Sequence, residues 1–135
     1  MLAPAPDIIR LSLHVIAAAV WVGGQLVLAG MVAPARRTGG SEVVRALANR
    51  FAQIAWPAFV VLVATGIWNI AAVHPSGQTT AWQVVLGVKI GVVVLAGVSA
   101  GLHQFATSPR GQAVWGALSG VSAISAMVLG VALAG

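Results

Sequence analysis

From Leu13 to Gly24 the chain reads LHVIAAAVWVGG, a single histidine in a run that is otherwise apolar until Gln25. The apolar stretch around it covers 8–32. At a rise of about 1.5 Å per residue, a helix of that length crosses the roughly 30 Å of hydrocarbon in a bilayer. Inside hydrocarbon every backbone N–H and C=O must be paired within the protein, which leaves the helix as the conformation for such a segment. Runs of the same character occupy 43–73, 81–106 and 112–134. The pattern predicts an all-α integral membrane protein, an antiparallel bundle of four transmembrane helices forming a single domain over residues 1–135.

Composition leads to the same class. Of the 135 residues, 59% are hydrophobic and 7% charged, and the mean hydropathy is +0.98, too apolar for a soluble globular domain. With no cysteine in the chain, disulfides, Cys zinc sites and thiolate copper relays are excluded. The opening MLAPAPDIIR has no basic stretch ahead of its apolar run, and that run is longer than the core of a signal peptide, so it reads as a retained span.

The breaks between runs set the topology. APARRTGGSE carries Pro and Gly breakers and ends near Ser41, which suits a helix N-cap, while HPSGQTT and SPRG are short turns that join antiparallel neighbours. Pro57, in AWPAF, predicts a kink in the second span. Arg36, Arg37, Arg45, Arg50 and Arg110 fall on the side of the first and third turns, and Arg10 alone falls on the other, near Asp7. The positive-inside rule then puts both termini outside a multi-pass protein of the plasma (inner) membrane. The net charge of +5 reports this topology and gives no support to nucleic-acid binding.

Polar groups inside the spans are the candidate functional residues. His14 lies about nine ångström along the first span from the outer face, and Lys89 about twelve ångström along the third from the same face. A lysine at that depth either snorkels to the interface or pairs with an anion such as a cofactor carboxylate. His14 either donates to a carbonyl or serine of a neighbouring helix or serves as a ligand. Trp21, nearly two turns below His14, faces the same way and would wall a site beneath the imidazole, or simply pack. Residues 17–19 with Gly23 and Gly24 thin one flank of the first span, and the pairs Gly87/Gly91 and Gly116/Gly120, with Ser119, Ser122 and Ser125, suit close helix contacts. His103 is four turns beyond Lys89 at the inner end of the third span, where Gln104 and Arg110 are the expected polar partners. His74 is a loop residue at the outer surface. Either histidine is a weaker candidate metal ligand than His14.

Much chemistry is absent. There is no Gly-rich phosphate loop, no HExxH and no Ser-His-Asp set, and Asp7 and Glu42 are the only acids, which argues against hydrolytic acid–base catalysis and carboxylate proton pumping.

Three motifs, LHVIAAAVWVGG, NRFAQIAWPAFVVLVATGIWN and VLGVKIGVVVLAG, resemble in this order the CopD (copper resistance protein D) domain, a four-helix inner-membrane module associated with copper uptake or tolerance. More distantly the chain resembles the HemJ-type protoporphyrinogen oxidases, in which a helix-1 histidine and a helix-3 lysine are linked to b-haem and activity. The resemblance selects His14 and Lys89. It implies either a protein that handles copper ions through an outer-half site around His14 or a b-haem oxidoreductase with His14 as axial ligand and Lys89 against a propionate. Imidazole suits copper, and Met1, Met31 and Met127 are the only sulfur ligands. A cationic Lys89 beside His14 would repel a copper ion, whereas it would stabilise an anionic cofactor. A structural or partner-binding membrane subunit is the third reading. Expected partners are the bilayer, a copper-binding periplasmic protein and a second copy of the chain.

Overall fold

The computed structural model describes residues 3–135, so Met1, one of the three expected sulfur ligands, lies outside the described residues. Those residues are helical apart from short turns. The chain divides into two compact units, Met1–Val73 and His74–Gly135, and each is an antiparallel helical hairpin.

The first unit contains α1 (Ala5–Ala18), one π-helical turn (Ala19–Gly23) and α2 (Gly24–Val73). Pro6 and Asp7 sit in the first turn of α1, where the missing proline N–H costs nothing and a carboxylate complements the helix dipole. Within α2 the backbone leaves helical geometry at Gly40, with φ 72° and ψ −168°. A side chain there would meet its own backbone, so glycine is the residue that permits the reversal. Ahead of it, the Thr38 hydroxyl donates to the carbonyls of Pro34 (3.0 Å) and Ala35 (3.3 Å), occupying acceptors left over at the end of the arm. The chain therefore runs as two arms, 5–39 and 41–73. Their side-chain contacts step in opposite directions: Arg10 with Asn69, His14 with Thr65, Trp21 with Phe59. At the next level down, a Cβ on Gly24 would collide with the Phe51 ring, so glycine lets the arms close together here.

The connection expected over 33–42 is thus helical except at Gly40. Each arm is about 50 Å long by helical rise, well beyond the hydrocarbon thickness, so nothing forces the helix to end where the arginines begin. Pro34 forfeits one backbone bond without ending its helix, and Pro57 likewise lies within continuous helix.

The second unit opens with His74 in the left-handed region (φ 53°) and a 3-10 turn, Pro75–Gly77. Then come α3 (Thr80–Phe105) and α4 (Pro109–Ala134). Thr79 caps α3 by accepting from the Trp82 amide, and Ser108 caps α4 by accepting from the Gly111 amide. The seam between the helices is small and polar. Trp82 Nε1 donates to the Leu133 carbonyl (3.2 Å) at one end, and Ser119 Oγ donates to the Ala96 carbonyl (3.3 Å) across the middle. Ser99, Ser119 and Ser122 are buried in it with Ala96 and Ala123. Hydroxyls this deep return their protons to helix carbonyls, as Ser99 does to Leu95, so little polar cost remains.

Three helical stretches, Ala5–Val73, Thr80–Phe105 and Pro109–Ala134, are long and apolar enough to cross a membrane. Their outward faces carry large aliphatic side chains such as Val15, Ile16, Val60, Ile67 and Val131. The inward faces hold the small and polar residues, the reverse of a water-soluble helix pair and the arrangement that suits lipid as solvent.

Candidate functional site

The facing surfaces of the first hairpin carry its polar groups in layers. At the open end, Arg10 on α1 is buried and bound on two sides. Its Nη2 meets Asp7 Oδ1 at 2.9 Å, and its Nη1 donates to Asn69 Oδ1 of α2 at 2.7 Å. Among the described residues this is the only ion pair within 4 Å. One turn below, His14 Nδ1 lies 2.9 Å from Thr65 Oγ1, and a Cβ on Gly66 would lie 3.5 Å from the imidazole Cε1. The imidazole therefore rests against the Thr65–Gly66 step of α2.

Below the imidazole the interface turns aromatic. Trp21, in the π-helical turn, is 3% exposed; its ring stands edge-on to Trp56 (centroids 5.5 Å) and tilted over Phe59 (4.5 Å). Trp56 and Phe59 are themselves edge-to-face at 5.9 Å. The expectation that Trp21 shares the His14 side of the first span is met, with the three rings forming one cluster beneath the histidine layer. Trp21 Nε1 is buried with no hydrogen-bond partner among the described residues, a cost of about 1–3 kcal/mol that the ring contacts offset.

The other candidates lie in the second unit. Lys89 on α3 extends across Gly130 of α4, where an added Cβ would come within 3.0 Å of Nζ and 3.6 Å of Cε. The tip of the lysine side chain therefore lies over this glycine. His14 belongs to the first unit and Lys89 to the second. His103 Nδ1 lies 2.7 Å from the Gln112 carbonyl; a carbonyl only accepts, so Nδ1 carries the proton. This backbone contact, with Gln112 Nε2 donating to the Ala106 carbonyl, ties the α3–α4 turn, so His103 donates to a main-chain oxygen of α4. His74 stands exposed at the start of the 3-10 turn. Among the described residues no three His, Asp or Glu side chains come together as a metal cluster.

Three residues of the site have no role assigned by the sequence: Thr65, Gly66 and Asn69. The signal was present in VVLVATGIWN, where Thr65 and Asn69 are polar interruptions one turn apart on a single face of an otherwise apolar helix.

The sequence model of a family described as copper resistance protein D matches residues 45–134. No curated protein and no solved structure matches the chain.

Proposed function

The chain belongs to the copper resistance protein D family, and from that premise we propose that it is a multi-pass plasma-membrane protein that handles copper ions as cargo, in uptake or tolerance, through an outer-half site at His14. In this reading the two hairpins supply four spans, both termini face outward, and the Gly40 and α3–α4 turns face the cytoplasm with their arginines. The observation that carries it is the His14–Thr65 contact: an imidazole held in place inside an apolar hairpin. Imidazole nitrogen is a good copper ligand. One imidazole is a transfer point more than a storage site, because a stable copper centre needs further donors, which a periplasmic partner or a second copy would bring.

A second reading, b-haem binding with redox activity, is favoured by the same count of ligands. A haem iron takes four donors from its macrocycle and asks the protein for an axial one, which His14 supplies, and a lysine such as Lys89 suits a propionate. In that case the protein is an oxidoreductase; as a copper carrier it is not an enzyme.

Protein purified in mild detergent separates the two by metal analysis and absorbance. Stoichiometric copper without a Soret band supports copper handling, and its loss in His14→Ala at unchanged expression supports the ligand role. A Soret band selects haem, and full copper retention by His14→Ala rejects the site.

A further inference from the structure

Thr65 is 5% exposed, and its hydroxyl is within reach of three groups. Val61 O is at 2.7 Å and Leu62 O at 3.1 Å, both on its own helix, and His14 Nδ1 is at 2.9 Å across the hairpin. A hydroxyl has one proton and carbonyls only accept, so that proton is committed to the Val61 and Leu62 carbonyls. The contact to His14 therefore has the threonine oxygen as acceptor, and the imidazole Nδ1 must donate. A neutral imidazole with its proton on Nδ1 carries its lone pair on Nε2.

We infer that Thr65 is a positioning residue: it holds His14 in the Nδ1–H tautomer and orients the ring, which places on Nε2 the lone pair that a metal would require. The value of Nε2 as a ligand rests on the proposed function; the tautomer does not. Two further features of the hairpin support the assignment. At Gly66 the imidazole Cε1, the atom between the two nitrogens, comes to van der Waals distance of where a Cβ would stand (3.5 Å), so the ring lies against α2 beside the Thr65 oxygen. The Arg10–Asp7–Asn69 cluster one turn above keeps the open end of the arms at fixed spacing. A hydrogen bond to the non-ligating nitrogen of a histidine is the usual device for fixing which nitrogen binds and for raising its basicity.

The test is nitrogen-15 NMR of the full chain in detergent, labelled at histidine, free of metal, with His14→Ala used to assign the signal. The expected spectrum shows His14 as the Nδ1–H tautomer. Thr65→Ser, which keeps an oxygen, preserves it, whereas Thr65→Val shifts the population toward Nε2–H. Copper titration of the same samples should then show Thr65→Val about ten- to a hundredfold weaker than wild type and Thr65→Ser close to it. An Nε2–H tautomer in the wild type, or an unchanged Nδ1–H tautomer in Thr65→Val, overturns the inference. A wild type with the Nδ1–H tautomer that binds neither copper nor haem leaves the Thr65 assignment supported and overturns the ligand reading of His14.

Discussion

Arg10 and Asn69, 59 positions apart in sequence, meet at 2.7 Å across the two arms of the first hairpin. Such a bond to a charged donor contributes about 1.5–3 kcal/mol when its partners are shielded from water. Asn69→Leu is therefore expected to destabilise the protein by about 2 kcal/mol, and Asn69→Asp, which keeps an acceptor and adds a charge, by less. Thermal unfolding in detergent reads both. Equal stability of wild type and Asn69→Leu would show that Asp7 alone satisfies the guanidinium.

The reversal at Gly40 sets a second expectation. With φ at 72° and ψ at −168°, any L side chain is strained, at a cost of about 1–3 kcal/mol. Gly40→Val should lower the unfolding temperature and expose the turn to protease, while Gly30→Ala, inside the first arm with open space around a new Cβ, should be neutral or slightly stabilising. Indifference to valine at position 40 would mean that the turn has another geometry in the bilayer.

Topology is checked by reporters. The arginines cluster at the Gly40 turn and at the α3–α4 turn, so a periplasmic reporter fused after Gly135 should be active and a cytoplasmic reporter there silent. Cytoplasmic activity from that fusion would invert the arrangement and move His14 to the inner half of the membrane.

Lys89 distinguishes the two chemistries. Removal of a cation near a copper site leaves affinity unchanged or raises it, whereas removal of a cation that pairs a buried carboxylate weakens cofactor retention by several kcal/mol. Lys89→Met is accordingly expected to bind copper at least as well as wild type; if the protein carries haem, the same variant should lose it, with partial rescue by Lys89→Arg. Titrations of wild type and both variants decide, and tighter haem binding by Lys89→Met would remove the propionate pairing.

The long apolar runs made the helical class and its membrane-crossing character legible, because hydrocarbon imposes a length and a conformation that sequence displays directly. His14 was legible for the same reason: an imidazole is conspicuous among alanines and valines. Its partner was not. Thr65 and Asn69 are mild interruptions, and only the antiparallel register of the two arms, fixed by the turn at Gly40, reveals that they face His14 and Arg10. The turn is shorter than its sequence suggests because Pro34, Gly39 and Gly40 look alike as breakers, while in the fold helical hydrogen bonding persists through two of them. The π-helical turn left no mark in the hydrophobic pattern, since Ala, Val and Trp suit either kind of helix.

That turn bears on how the first arm tolerates changes in length. A π turn accommodates one residue more than an α turn and keeps the helix on both sides in phase. Deletion of Ala19 is therefore expected to close the turn to α geometry and leave Arg10 and His14 opposite Asn69 and Thr65, with local repacking of Trp21. Deletion of a residue from ordinary helix lower in the arm, such as Ala29, would instead rotate everything above it by about 100° and carry both polar contacts off their partners. A large difference in thermal stability between the two deletions is the expected measurement, and equal losses would show that the wide turn gives no such slack. With that difference, residues 19–23 are the place in the first arm where the gene can lose a codon while the histidine keeps its bearing.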